Sequence, residues 1–418
     1  MSEYNLHYNY KDLFLAPRLA LSPKKIWVFI FGNLCGYIAY WILSYLSLVF
    51  SGVQINDAIT DYGLFPCLYG NSGPLISWLI YYSGICIWLF FVLISITAVS
   101  RITVKQLKGD NFFSANDALD YAMKKWKSVI FAPLSIIFII FILFIIACIF
   151  AMIASLPLIG DLSLPLFYIF YFLGGIFTVY SFIVFMVSLF FSPVIIGAIE
   201  EDTIGTVFHS YQITFNQPWR IITYHALLIP QIIIFINIFS WFYSMSFSLI
   251  NLIFGYFMGG RFENILGYAV SIVDTSWISS DTSMLNIILE KDLFRPLTMA
   301  SDLIEFILSS LIKFFSLILM ALPNFYFDSY TGSLTAIETI SGILLSIPLI
   351  LLTLSVISYG LSILSVGETL IFIIFKKIMD GDNILSLNNE EDINKYQVDE
   401  KVDFDRSSQN ILSSTEEE

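Results

Sequence analysis

Four polar side chains stand in or beside strongly apolar stretches of this sequence. His225 and Gln231 share one run without charged residues. Glu368 is the one acid of the last predicted span, and Lys313 lies in an apolar stretch between these two regions. Ionisable groups are costly in hydrocarbon and are retained there mainly along ion or proton routes. These four residues are therefore the candidate polar pathway of the protein.

Each candidate also has a structural interpretation, which we favour. Imidazole and amide groups in membranes commonly join helices through hydrogen bonds worth about 1 kcal/mol each, so His225 and Gln231 either tie helices together or line a polar pocket. Glu368 precedes Lys376 by about 12 Å of helix, at 1.5 Å per residue. It is either a hydrated or Lys376-paired carboxylate near the headgroups or a coupling carboxylate for protons or a cationic solute.

Recognisable catalytic and metal-binding motifs are absent from the sequence. It has no G-x-S-x-G elbow, no H-E-x-x-H zinc helix and no phosphate-binding loop. The run Asp380-Gly381-Asp382-Asn383 begins like a calcium loop, but Ile384 stands where the fifth residue should supply an oxygen ligand. We therefore expect no enzymatic activity, no cofactor and no metal.

Composition identifies the elements that must position the candidate residues. Of 418 residues, 57% are hydrophobic and 13% are charged, against about 25% charged in soluble domains. This excludes a soluble enzyme, a coiled coil and a disordered regulator. A helical span needs about 20 apolar residues, whereas a membrane barrel shows short alternating segments. The sequence predicts an all-α polytopic transmembrane helical bundle, with six core spans at 26–50, 75–100, 128–154, 165–191, 220–243 and 341–375.

The segment 244–335 leaves the span count open between six and eight. It contains two further apolar stretches, 245–260 and 301–325, and the second carries Asp302, Glu305 and Lys313. Lys313 follows Asp302 by close to three helical turns, so both share one face, as in a helix that lies flat on a membrane. We therefore favour six spans, with 244–335 as an outer-face insertion that contains interfacial helices.

Basic residues set the predicted orientation, because Lys and Arg flank the cytoplasmic ends of spans. They flank the predicted cytoplasmic ends at Lys11, Arg18, Lys24, Lys25, Arg101, Lys105, Lys108, Lys124, Lys125, Lys127, Arg220, Lys376 and Lys377, whereas the connections 51–73, 155–164 and 326–340 contain none. We predict a multi-pass protein of the bacterial inner (cytoplasmic) membrane with cytoplasmic N- and C-termini. Residues 1–25 form its cytoplasmic N-terminal segment and 26–379 its transmembrane domain. Residues 380–418, with twelve acidic and three basic side chains, form a disordered acidic cytoplasmic tail.

A unit of one amphipathic surface helix and two spans is predicted to recur. Ser114 and Asp117 resemble a capping box, and Glu200-Glu201-Asp202 favours a second helix start. Trp126-Lys127 and Trp219-Arg220 then open the following spans as interfacial anchors. Leu13-Phe14-Leu15-Ala16-Pro17 is a candidate degenerate first copy.

Several of these motifs resemble one family of bacterial multi-pass proteins. They are Ser192-Pro193 at a span end, Glu200-Glu201-Asp202, Ser210-Tyr211 with Pro218-Trp219-Arg220, and Lys376-Lys377 with Asp380-Gly381. The family is poorly characterised and is related to the membrane domain of glycerophosphodiester phosphodiesterases. The resemblance covers residues 110–245 and 340–382, and it implies an all-helical bundle without catalytic machinery of its own.

The leading functional prediction is a non-enzymatic scaffold or accessory subunit. Its partners would be the lipid bilayer and other membrane proteins, and the acidic net charge of −13 gives no support for nucleic-acid binding. The alternative is a secondary transporter or lipid-handling permease with His225, Gln231 and Glu368 along its route. An intramembrane enzyme ranks third, because no nucleophile–base pair can be named.

Overall fold

Every regular element of the described chain is helical. The computed structural model describes residues 6–68, 73–156, 159–273 and 334–381, together with Leu385. After a 3₁₀ turn at Tyr10–Leu15, these ranges contain helices α1 (Ala16–Ala20), α2 (Pro23–Phe50), α3 (Ile55–Tyr62), α4 (Leu75–Leu107), α5 (Ala115–Lys124), α6 (Trp126–Ala154), α7 (Ile159–Ile199), α8 (Thr203–Asn216), α9 (Pro218–Met258), α10 (Gly260–Val273) and α11 (Ala336–Asp380). The predicted all-α bundle is confirmed.

Six of the described helices are long and apolar enough to cross a membrane. They are α2, α4, α6, α7, α9 and α11, and they coincide with the six predicted spans. Several extend further than one bilayer requires. Helix α9 has 41 residues and is therefore about 60 Å long, twice the hydrocarbon thickness of a membrane.

The first part of the segment 244–335 belongs to a long helix. Residues 245–258 continue α9 beyond the predicted span end at 243. This helix ends at Gly259, whose φ of +57° is a conformation that few other residues adopt. Helix α10 then packs against α11, where a Cβ at Gly342 would lie 2.7 Å from the Tyr268 ring. The stretch 301–325, including Lys313, lies outside the described residues.

The predicted unit of a short helix and two long helices is seen in the element order. Short segments at the 3₁₀ turn and α1, at α5 and at α8 precede the pairs α2 and α4, α6 and α7, and α9 and α11. Within two residues of its end, the second long helix of each pair is followed by a residue with positive φ, namely Gly109 (+97°), Glu200 (+62°) and Gly381 (+72°). Two of these stops use glycine, and the third holds a glutamate in a conformation that is strained for its type.

Three helix segments form the packed interior of the bundle. Residues 93–104 of α4, 191–198 of α7 and 365–375 of α11 are buried without interruption, and we call them the central core. Hydroxyl groups join them: Ser100 Oγ donates to the Val194 carbonyl at 3.2 Å, and Ser365 Oγ donates to the Ile96 carbonyl at 3.1 Å. The helices approach closely, since a Cβ at Gly197 would lie 2.6 Å from the Thr97 carbonyl oxygen.

The other ends of α6 and α7 have the opposite character. No residue in 137–156 or 164–179 is buried, although α6 and α7 pack against each other. We call these two ranges the distal hairpin. Its side chains are mostly Ile, Leu and Phe, and most of them are exposed, as expected for surface in contact with lipid or with another membrane protein.

The N-terminal segment is packed into the bundle. Carbonyl groups near the end of α1 accept hydrogen bonds from side chains of two other helices, and that of Pro17 also accepts one from the Leu21 amide. Lys25 Nζ donates to the Leu19 carbonyl (3.0 Å), Tyr359 to that of Pro17 (3.2 Å) and Ser362 to that of Ala20 (3.0 Å). Helix α1 thereby joins the first span to the last.

Candidate functional site

The structure brings together two of the four candidate residues. His225, in the second turn of α9, and Glu368, in α11, form an ion pair with 2.8 Å between Nε2 and Oε1. The Glu368 side chain is 2% exposed and that of His225 is 22% exposed. Neither carboxylate oxygen of Glu368 makes a hydrogen bond within the described residues, so the contact with His225 is an electrostatic one. The imidazole is therefore the one charged partner that this part of the chain supplies to the carboxylate.

Close helix packing and aromatic rings enclose the pair. A Cβ at Gly367 would lie 2.4 Å from a methyl carbon of Leu228, so α9 and α11 are in direct contact beside the pair. The rings of Phe190 and Phe191 from α7 stand edge-on to the imidazole, with centroids 6.3 and 6.0 Å away. These contacts keep water from the carboxylate and fix the orientation of the imidazole.

The hydrogen-bond partners of His225 define what the pair can do chemically. Nδ1 lies 2.7 Å from the Ile221 carbonyl oxygen, which can only accept, so Nδ1 carries a proton. Nε2 faces the Glu368 carboxylate, so an imidazole protonated at both nitrogens would form a neutral ion pair with it. The arrangement can hold one proton and can tie α9 to α11, because loss of either partner would leave a buried polar group unpaired.

The other two candidates do not join this pair. Gln231 is buried in α9, and its amide nitrogen donates to the Leu227 carbonyl of the same helix at 3.0 Å, while its amide oxygen has no partner in the described chain. Lys313 lies outside the described residues. Among the described residues, no contact supports a continuous route through His225, Gln231 and Glu368.

Sequence reasoning missed a second buried ion pair, between Arg101 of α4 and Glu200. Arg101 is 2% exposed, and its guanidinium carbon lies 4.7 Å from the centre of the Tyr121 ring. Lys125 Nζ donates to the Glu200 carbonyl at 2.8 Å. These contacts hold Glu200 in its positive-φ conformation and fix the short helix α5 to the end of α7.

From the sequence alone, Arg101 is interpreted only as a charge that orients the spans. The residues around it could have indicated its burial, since Ser100 and Thr103 flank it in a stretch where hydroxyl groups recur. A stretch of this kind indicates a packed polar interior rather than a headgroup contact.

No group of three or more His, Cys, Asp or Glu side chains that could hold a metal ion occurs within the described ranges. No protein family matches the chain, and no curated protein or solved structure is significantly similar to it. The resemblance to the membrane domain of glycerophosphodiester phosphodiesterases stays a prediction. Six apolar helices identify a multi-pass integral membrane protein.

Proposed function

We propose that this integral membrane protein is non-enzymatic and acts as a scaffold or accessory subunit that packs with lipids and partner membrane proteins. We further propose that it resides in a bacterial inner membrane with both termini in the cytoplasm. The basis for the orientation is the clustering of Lys and Arg at one end of the spans.

The distal hairpin is the observation that carries this proposal. The most apolar window of α6 has a mean hydropathy of 3.5 but is only 6% buried. Residues 137–156 of α6 and 164–179 of α7 therefore leave their apolar side chains largely uncovered. In α7, a Cβ added at Gly174 or Gly175 would meet no atom within 4 Å. Small residues on an open helix face allow another helix to approach closely.

The transporter alternative has less support. A transport route needs a hydrated cavity at which several polar groups converge, and the Glu368 carboxylate is enclosed by packed helices and rings. The ion pair of His225 and Glu368 inside the bundle is the one observation that favours this alternative. The structural role of the pair, which joins two spans, accounts for the same geometry.

A leucine at Gly174 tests whether the distal hairpin binds another protein. Because the Cβ there meets no atom of the chain, Gly174→Leu should leave the thermal stability of the purified protein unchanged. We expect it to reduce, by about tenfold or more, the recovery of membrane proteins that co-purify with the wild type in a gentle detergent, since a blocked helix contact loses well over 1.4 kcal/mol.

The matched control is Gly260→Leu, because the Cβ at Gly260 in α10 also meets no atom within 4 Å. This variant should recover the same proteins as the wild type, as quantified by mass spectrometry. Equal recovery with Gly174→Leu, or a solute flux catalysed by the purified protein in liposomes, would contradict the proposal.

A further inference from the structure

A groove outside the His225–Glu368 site runs between α2, α4 and α5. It encloses about 390 Å³, within the range of about 300–1,000 Å³ typical of ligand sites. Its walls are mainly apolar and come from Phe31, Phe91, Ile94, Leu119 and Met123. Phe31 and Met123 are 47% and 45% exposed, so the groove is open toward the surroundings of the spans.

Neighbouring residues place the groove at the depth of the lipid headgroups. Phe90, beside the groove residue Phe91, contacts the Trp126 ring with 6.4 Å between centroids. Trp126 is followed by Lys127, and a Trp–Lys pair at the start of a span is typical of the membrane–water boundary. The apolar walls of the groove therefore lie just inside the boundary, and the polar face of α5 lies at it.

Two charged side chains lie at or beside the polar edge of the groove. Asp120 and Asn116 of α5 line it, and Lys124 follows Asp120 by one helical turn. On a helix this spacing brings two side chains to the same face, with about 5–6 Å between Cβ atoms. Asp120 and Lys124 are exposed and form neither an ion pair nor a hydrogen bond within the described part of the chain.

We infer that this groove binds one glycerophospholipid with a primary ammonium in its headgroup. An acyl chain fills the apolar walls, the ammonium donates hydrogen bonds to the Asp120 carboxylate, and Lys124 contacts the adjacent phosphate. Charge complementarity selects this class of lipid. A purely anionic headgroup would be repelled by Asp120, and a quaternary ammonium has no N–H to donate. The inference rests on the proposed function and names a lipid that the scaffold holds.

Native mass spectrometry of the full-length protein in a non-ionic detergent tests the inference. Phosphatidylethanolamine, phosphatidylcholine and phosphatidylglycerol with identical acyl chains are titrated separately, and the retained lipid is measured. The wild type should bind phosphatidylethanolamine most tightly. Asp120→Asn should weaken that binding by about tenfold or more, the value of a hydrogen bond between charged groups. Equal binding of the three lipids by the wild type would overturn the inference.

Asp57→Asn is the matched control, because Asp57 is an exposed acid on α3, a short helix at the other end of the first span. It should bind all three lipids as the wild type does, and an equal loss in Asp57→Asn and Asp120→Asn would refute the site. Met123→Trp fills the groove from an exposed position and should abolish the preference for phosphatidylethanolamine. Unchanged binding by that variant would also overturn the inference.

Gly174→Leu separates this inference from the proposed function. The distal hairpin is distant in sequence from the groove and contributes none of its lining residues. Lipid binding should therefore be unchanged in this variant. Loss of partner proteins with intact lipid selectivity supports both proposals, whereas intact partner binding with intact selectivity contradicts only the scaffold role.

Discussion

The central core and the distal hairpin are both strongly apolar in sequence, yet the first is buried and the second is exposed. Helix α6 has the most apolar window, with a mean hydropathy of 3.5, and only 6% of it is buried. The corresponding window of α4 has a mean hydropathy of 2.3 and is 50% buried. In lipid, apolar surface gains nothing by turning inward, whereas hydroxyl groups need partners. Serine and threonine, rather than hydropathy, therefore mark the inside of this molecule.

Replacing a phenylalanine should give the largest difference in stability loss between the two regions. Phe372 in the central core is fully buried, whereas Phe170 in the distal hairpin is 65% exposed. Phe372→Ala should lower the free energy of unfolding by about 3–5 kcal/mol through the lost contacts and the cavity. Phe170→Ala should change it by less than about 0.5 kcal/mol. Unfolding of both purified variants in mixed detergent measures the difference, and similar losses would refute the distinction between the regions.

Breaking the buried pair beside the core should cost nearly as much. His225→Leu leaves the Glu368 carboxyl group without its partner, which we expect to destabilise the protein by about 3 kcal/mol. Replacing both residues, as in His225→Leu with Glu368→Leu, removes the unpaired group and should recover most of that stability. The same unfolding assay tests this cycle. A double variant no more stable than His225→Leu would show that the two side chains are not coupled.

The smallest effect is expected from a single added methyl group. A Cβ at Gly197 would lie 2.6 Å from the Thr97 carbonyl oxygen, whereas one at Gly174 meets no atom within 4 Å. Gly197→Ala should therefore cost about 1–3 kcal/mol through overpacking, and Gly174→Ala should be neutral or slightly stabilising, since alanine favours helix. Melting temperatures of the two variants, recorded side by side, provide the check. A neutral Gly197→Ala would argue against the close approach of α4 and α7.

The spans were predictable because lipid imposes a minimum length on charge-free runs. Where α9 ends was not predictable from bilayer thickness, since no charged residue follows Tyr243 before Gly259 and the helix simply continues. The repeated unit was predictable from the caps: Ser114 Oγ accepts from the Asp117 amide, and Asp202 caps α8 through the Gly205 amide. Local hydrogen bonds of this kind are readable in sequence.

The candidate site was predictable only in part. The chemistry of His225 and Glu368 was visible as isolated polar groups in apolar runs, but their contact depends on how α9 and α11 pack. Likewise, Arg101 and Glu200 lie on different units and meet only in the folded bundle. Sequence patterns report burial tendencies along one helix, whereas pair formation requires knowing which helix faces which.

The contacts of helix α1 limit the order in which the helices of this protein can pack together. Its carbonyl groups at Pro17 and Ala20 are bonded by Tyr359 and Ser362 of α11, which lie 342 residues further along the sequence. These two contacts can therefore form only after α11 has been synthesised and inserted, whereas the bond from Lys25 to the Leu19 carbonyl can form as soon as α2 is in place. A chain that lacks α11 would hold α1 by its contacts with the first span alone.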